Sequence, residues 1–161
     1  MSSAALISPC GVYRYALERR WGDAPPMVFC MLNPSTADAE VDDPTIRRCK
    51  SFAERERCGG IFVVNLFAFR ATSPADLNKA ADPVGPDNVK AIGEALLLSA
   101  VMRGPFVAAW GAHSLAGKQA ARLVERARDF HIKIHCLGKT QTGAPKHPLY
   151  LRADAPLEVW P

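Results

Sequence analysis

The sequence lacks the features that mark metal-bound, disulfide-bonded or membrane proteins. Its five cysteines are scattered without a C-x-x-C pair, so neither a disulfide framework nor a zinc site is indicated. An iron–sulfur cluster needs about four cysteines close together, which this scatter does not favour. No apolar run approaches the roughly 18–20 residues that cross a bilayer, and residues 1–9 do not resemble a secretory signal. We therefore expect a soluble, cytoplasmic protein with no metal, no organic cofactor and no membrane partner.

A strong charge of either sign is also absent. The 161 residues include 20 Lys and Arg against 16 Asp and Glu, which gives a formal net charge of +4. This charge is compatible with DNA or a nucleotide-like small molecule as the partner, but it requires neither. With 48% hydrophobic residues the chain can bury its own core. This predicts a single domain over residues 1–161, with no obligate protein partner.

Hydrophobic periodicity divides the chain into alternating strands and helices. Short apolar runs predict buried strands at residues 27–32, 61–66, 105–110 and 132–137. Helices are predicted at residues 44–57, 87–102 and 114–128. Residues 12–20 alternate like a half-exposed strand and lead into turn residues, which predicts an antiparallel hairpin with the next strand. The order predicts a three-layer α/β/α fold, with a central four-stranded parallel sheet and one N-terminal antiparallel hairpin strand.

The first two predicted helices carry further local signals. Asp43 and Pro44 are the residue types expected at an N-cap and at the first helical position. The apolar stripe of that first helix is predicted to be Ile46, Cys49, Phe52 and Ala53. In the second helix, the residues predicted to face the core are Val89, Ile92, Leu96, Leu97 and Ala100.

Polar residues at the ends of the predicted strands are the first candidates for a binding site, because ligands of an open parallel sheet bind beyond those carboxyl ends. The candidate segments are residues 33–36, 65–67, 111–113 and 139–150. Asn33 offers an amide donor and acceptor to a ligand there, or it serves as a turn former beside Pro34. Asn65 interrupts an apolar run, and a buried amide without a partner costs about 1–3 kcal/mol. Either a ligand or a structural hydrogen bond must therefore satisfy Asn65.

Histidines and carboxylates near these segments are the candidates for proton transfer and charge stabilisation. His147, in a loop, can donate a hydrogen bond to a developing oxyanion, or it is a surface histidine. His113 opens a helix, where it either caps that helix or contacts phosphate. One of Asp38, Asp42 and Asp43 can hold a hydrolytic water, although Asp43 is more simply a helix cap and the other two solvated. The G-x-S-x-G elbow is missing, which makes nucleophilic hydrolase chemistry a weak alternative.

Four segments, taken in order, resemble the uracil-DNA glycosylase superfamily, especially its mismatch-specific branch. They are VFCMLNPS (28–35), GIFVVNLFAFRA (60–71), FVAAWGAHSLAGK (106–118) and KHPLYL (146–151). Through MLNPSTAD, DDPTIRRC, WGAH and HPLYL, the whole chain also closely resembles a bacterial and phage family catalogued as a domain of unknown function, DUF1643. The second resemblance is the more specific one, and it implies no activity.

The superfamily resemblance implies catalytic roles for two residues and a base-reading role for a third. Asn33 would position the attacking water, and His147 would donate a hydrogen bond to the departing base. Asn65 would read the flipped base, and a wedge such as Leu149 or Leu151 would help to offset the cost of unstacking it.

The same resemblance implies further substrate contacts. Lys146, Lys139 and the helix N-termini, including the one at His113, would hold phosphates. Phe67 or Phe52 would stack on the base. The most active branch has an aspartate where this chain has Asn33, and a tyrosine where Ser35 follows Pro34. The small Ser35 would therefore admit a larger or modified base.

The sequence thus predicts a base-recognising protein, a DNA glycosylase-like hydrolase that acts on a damaged or modified base in DNA repair. Two alternatives stay open. One is a non-catalytic module that binds nucleic acid or nucleotides. The other is an enzyme that acts on free modified nucleosides or nucleotides, which the modest net charge of +4 suits better than it suits the clamping of duplex DNA.

Overall fold

A seven-stranded sheet organises the chain in the computed structural model, which describes residues 1–161. The strands are β1 (Ser2–Ile7), β2 (Arg14–Arg20), β3 (Met27–Met31), β4 (Gly60–Asn65), β5 (Phe106–Ala108), β6 (Ile134–Cys136) and β7 (Glu158–Val159). The helices are α1 (Pro44–Arg55), α2 (Asn88–Met102) and α3 (Ala116–Asp129). Two 3₁₀ segments, Pro74–Lys79 and Pro148–Tyr150, lie in the connecting loops.

The strand order is β1-β2-β4-β3-β5-β6-β7. The central strands β4, β3, β5 and β6 run parallel, whereas β1, β2 and β7 pair antiparallel to their neighbours. The α/β class is confirmed, but the predicted four-stranded parallel sheet with one added strand is wrong, since the sheet is mixed and has seven strands. Side-chain periodicity missed β1 and β7 because both edge strands are largely exposed and are held by backbone pairing.

The predicted hairpin between the strand at residues 12–20 and the next strand is also wrong. Strand β2 pairs antiparallel with β4, where Leu17 lies opposite Val63, and its other edge pairs with β1. Strand β3 has no edge available for β2, because β4 and β5 occupy both of its edges as parallel partners. Turn residues between consecutive strands reverse the chain, but they do not decide which strand becomes the neighbour.

Helix α1 forms as its sequence predicts. The Asp43 side chain accepts a hydrogen bond from the Ile46 amide at 2.8 Å, and Pro44 occupies the first turn. The buried residues of this helix are Ile46, Cys49, Phe52 and Ala53, so the predicted apolar stripe is confirmed.

Helix α2 forms over the predicted range, but it buries a different face. Val89 and Leu97 are 59% and 51% exposed, and of the predicted stripe only Leu96 is fully buried. The buried residues are Asn88, Ala91, Ala95, Leu96 and Ser99. Apolar residues occur almost all round this helix, so its pattern does not single out a face, and the small residues are those that let it approach the sheet.

The core has one layer on each face of the sheet, and β3 contributes to both. Phe29 packs with Phe52 on the α1 face, while Val28 packs with Leu96 and Leu123 on the α2 and α3 face. All five residues of β3 are buried, as a strand covered on both faces requires. Cys30, Cys49, Cys58 and Cys136 are buried free thiols, and Cys10 is exposed. No helix has the length and apolar character needed to cross a membrane.

Candidate functional site

The chain changes direction across the sheet at β3. From β3 it passes through α1 to β4 on one side, and then returns through α2 to β5 on the other side. In such sheets the crevice for a ligand lies beyond the carboxyl ends of the strands at this switch point, here β3 and β5.

The loop that carries His147 is fixed at this point. Gly111, just after β5, adopts a φ of 74° in the left-handed region that favours glycine, and its amide donates to the Pro145 carbonyl at 2.8 Å. A Cβ at Gly111 would lie 3.8 Å from the Cβ of His147. On its other side, the Arg48 guanidinium of α1 donates to the Leu151 carbonyl. The loops after β5 and β6 and helix α1 therefore meet at one edge of the sheet.

A pocket of about 410 Å³ opens at this edge, a size suited to a small organic ligand. Its apolar wall includes Met31, Ile46 and Leu149. The polar and charged residues that line it are Arg14, Asn33, Ser35, Thr36, Asp43, Thr45, Thr72, His147 and Tyr150. Of the residues that the sequence singled out, the pocket thus brings together Asn33, Ser35, Asp43, His147 and Leu149.

The carboxamide of Asn33 has a fixed orientation at the rim of the pocket. Its Nδ2 donates to the Ala71 carbonyl at 2.9 Å and to the Pro34 carbonyl at 3.1 Å. Since carbonyl oxygens only accept, Nδ2 must face them, and Oδ1 is left as an acceptor with no protein donor. The Ala71 amide donates back to the Pro34 carbonyl at 3.0 Å. Asn33 and Pro34 therefore tie together the loops after β3 and β4, and the remaining amide oxygen can accept a hydrogen bond from a water.

His147 is held in one tautomer. Its Nδ1 accepts from the Leu149 amide at 3.2 Å, so the neutral ring carries its proton on Nε2. Burial lowers the pKa of His147, against a smaller opposing effect of the Asp43 carboxylate. The ring is therefore a neutral hydrogen-bond donor at pH 7, which is the form suited to stabilise a developing negative charge without first losing a proton.

Asp43 is the carboxylate of this loop that lines the pocket. Asp42 forms ion pairs with Arg19 at 2.8 Å and Lys50 at 3.0 Å, and its side chain is only 17% exposed, so it is not the solvated residue that the sequence suggested. Asp38 accepts from the Glu40 and Val41 amides and orders its own loop. Asp43 thus combines the expected helix cap with a position in the site.

Asn65 is buried on the strand next to a residue that lines the pocket. It is 0% exposed, and neither its Nδ2 nor its Oδ1 has a hydrogen-bond partner. It pairs in register with Met31, which lines the pocket, and strand alternation puts it on the α1 face with Val63. The alternative of a structural side-chain hydrogen bond is therefore not observed, and Asn65 is not among the residues that line the pocket.

The other predicted site residues lie outside the pocket. Phe67 is 4% exposed in the core on the α2 and α3 face, and Phe52 is buried under α1. The His113 Nδ1 accepts from the Leu115 amide at 3.2 Å in the turn before α3, whose N-cap residue is Leu115 and which has no side-chain cap, so His113 orders this turn and does not cap the helix. Lys146 and Lys139 are not among the residues that line the pocket.

Arg14 is the site residue that sequence analysis missed. It begins β2, is 2% exposed and lines the pocket. Its Nη1 donates to the Ala37 carbonyl at 2.6 Å, and its Nε has no partner. Burial lowers the pKa of Arg14 to about 10, so it is still charged at neutral pH. No signal in the sequence separates it from the other charged residues of an alternating strand.

The chain has no group of three or more His, Cys, Asp or Glu side chains arranged to hold a metal ion. A sequence model of the family described as "Protein of unknown function (DUF1643)" matches residues 14–149. The match extends over nearly all of the pocket, from Arg14 to Leu149. No curated protein and no solved structure matches the chain significantly.

Proposed function

The chain belongs to the DUF1643 family of proteins of unknown function, and from its pocket we propose that it is a glycosylase-like hydrolase of the N-glycosidic bond to a damaged or modified base. The observation that carries this proposal is the set of three groups around one cavity. They are the free Oδ1 acceptor of Asn33, the carboxylate of Asp43 and the neutral imidazole of His147.

The proposed reaction assigns one task to each group. Asn33 Oδ1 and Asp43 orient a water, whose oxygen bonds to the anomeric carbon of the sugar while its proton passes to the carboxylate. The bond from that carbon to the base nitrogen breaks, and its electron pair leaves with the base. His147 Nε2 donates a hydrogen bond to the base as this charge develops, and the negative charge of Asp43 stabilises the oxocarbenium-like sugar.

The fold supports this proposal at a coarser level. The strands β4, β3, β5 and β6 are parallel, and loops that follow β3, β4 and β6 line the pocket, which agrees with the placement of the site at strand carboxyl ends that the resemblance to uracil-DNA glycosylases implies. The added strands β1, β2 and β7 extend this parallel centre, and the first residue of β2, Arg14, lines the pocket.

We assign base recognition to two further residues. Tyr150 lines the pocket, lies 6.5 Å from the His147 ring and is 87% exposed, so it replaces Phe67 as the aromatic proposed to stack on the base. Asn65 is proposed to read the base edge after Met31 moves aside, because its buried amide has no other partner. Met31 suits this movement, since methionine repacks easily.

The test is base release from oligonucleotides that carry uracil, hypoxanthine, thymine mismatches or hydroxymethylpyrimidines, in single and double strands, together with the matching free nucleotides. We expect His147→Gln and Asp43→Asn each to slow release by about 100-fold or more. Asparagine is a good N-cap, so Asp43→Asn removes charge while it keeps α1 capped.

His113→Gln is the matched control, because His113 accepts a backbone amide hydrogen bond through Nδ1 just as His147 does, but lies outside the pocket. Its activity should equal that of the parent. Binding of substrates without release of any base, at enzyme excess, would instead indicate the non-catalytic binding module.

A further inference from the structure

Strand β2 contains two buried arginines, and the fold compensates their charges very differently. Arg19 is 5% exposed, pairs with the Asp42 carboxylate at 2.8 Å and donates to the carbonyls of Asp38 and Glu18 at 2.6 and 2.9 Å. Arg14 is 2% exposed and donates only to the Ala37 carbonyl. No carboxylate forms an ion pair with it, and its Nε has no acceptor. A buried guanidinium without a counterion is costly, so a structural role alone does not account for Arg14.

The surroundings of Arg14 point to what the missing partner is. Its side chain lines the pocket, together with the first residues of the 12-residue helix α1, whose N-terminus carries partial positive charge. Four charged neighbours also act on it: Asp43, with the largest effect of the four, and Asp38 raise the pKa of Arg14, whereas Arg70 and Arg19 lower it. Neither carboxylate forms an ion pair with Arg14, and the Asp43 Oδ1 already accepts from the Ile46 amide.

We propose that Arg14 binds a phosphate group of the substrate, so that the pocket accepts a nucleotide rather than a nucleoside. The assignment of the rest of the ligand as a base and sugar rests on the proposed function, but phosphate binding does not. A guanidinium presents parallel N–H donors to phosphate oxygens, and Nε is one of these donors. Because Arg14 is recessed, a terminal phosphate of a free nucleotide fits it better than a phosphodiester inside a strand.

The experiment is calorimetric titration with inorganic phosphate, a nucleoside 5′-monophosphate and the matching nucleoside. The protein variants are the parent, Arg14→Met and Arg70→Met. Arg70 carries the same charge close by without lining this pocket, so Arg70→Met is the matched control. We expect Arg14→Met to weaken binding of phosphate and of the monophosphate by at least about tenfold, and Arg70→Met to have a much smaller effect. Equal affinity of the parent and Arg14→Met overturns the proposal.

A second measurement on the parent protein does not depend on whether Arg14→Met folds. The Arg14 Nε–H signal, followed by ¹⁵N NMR, should shift on addition of inorganic phosphate and not on addition of chloride at the same ionic strength. An unmoved signal at saturating phosphate overturns the proposal.

The outcome also separates this inference from the proposed function. Phosphate binding through Arg14 without base release from any substrate supports the phosphate site and rejects the hydrolase. Base release that is equally fast from nucleosides and nucleotides, and unchanged in Arg14→Met, rejects the phosphate site and leaves the hydrolase standing. An oligonucleotide without terminal phosphates that competes for the pocket as strongly as the monophosphate does would mean that Arg14 binds a phosphodiester within a strand. It would overturn the preference for a free nucleotide.

Discussion

At the scale of single residues, two histidines are expected to make the free energy of unfolding depend on pH. Burial lowers the pKa of His147 and also that of His135, whose Nδ1 is buried without a partner. In each case the unfolded chain, with an ordinary pKa of about 6.5, binds a proton that the folded protein does not. Above pH 6.5 these two histidines therefore do not reduce the free energy of unfolding. As the pH drops below 6.5 the free energy of unfolding falls, and the fall stops once the pH is below the pKa values of the folded protein.

We predict that His147→Gln and His135→Gln each reduce this acid loss of stability, measured by urea unfolding between pH 5 and pH 8. His131 is an exposed histidine with a φ of 55°, so His131→Asn, which tolerates that backbone, is the control. The control should keep the full pH dependence. A slope that stays the same in both glutamine variants would show that other groups cause it.

At the scale of elements, one glycine fixes how α1 returns the chain into the sheet. Gly59 lies between α1 and β4, and its carbonyl accepts from the amides of Trp21 and Gly22 at 2.9 and 3.0 Å. A Cβ at Gly59 would lie 2.4 Å from the Ala24 carbonyl oxygen and 2.6 Å from that of Gly22. These are backbone atoms, so any side chain forces the turn between β2 and β3 away from the start of β4.

We predict that Gly59→Ala lowers the free energy of unfolding by about 2 kcal/mol or more, through overpacking. Gly117→Ala is the contrast, because Gly117 lies in α3 with nothing within 4 Å of the added Cβ. That change should stabilise the protein by up to about 1 kcal/mol. Urea denaturation of both variants measures the difference, and similar values for the two would contradict the packing seen at Gly59.

At the scale of the whole molecule, both core layers share the same strands. Alternate residues of β3 enter the α1 layer and the α2 and α3 layer, so neither layer can separate while the sheet is intact. We therefore predict one cooperative unfolding transition, as expected of a single domain over residues 1–161.

The three tryptophans allow this to be measured on each face. Trp21 packs against the α1 layer, while Trp110 belongs to the other layer and contacts Trp160. One variant keeps only Trp21 and another keeps only Trp110. In each variant, the urea midpoint measured by fluorescence should coincide with the midpoint measured by far-UV circular dichroism. Midpoints that separate would mean that the two layers unfold independently.

Local sequence patterns were enough to locate the features that depend on neighbouring residues in the chain. Apolar runs located β3, β4, β5 and β6, and cap chemistry located α1 to within two residues of its end. Because the ends of parallel strands meet at one edge, the loops that follow the strands were sufficient to select Asn33, Ser35 and His147, which all line the pocket.

The tertiary structure decided what depends on residues far apart in the chain. The partner of β2, the buried face of α2 and the burial of Asn65 outside the pocket lining follow from how elements pack, which periodicity does not encode. In the sequence, Arg14 is indistinguishable from the other charged residues of its strand. In the folded protein it donates to the Ala37 carbonyl in the loop after β3. Its burial without an ion pair is a property of the assembled pocket, because the fold encloses the guanidinium and gives its Nε no acceptor.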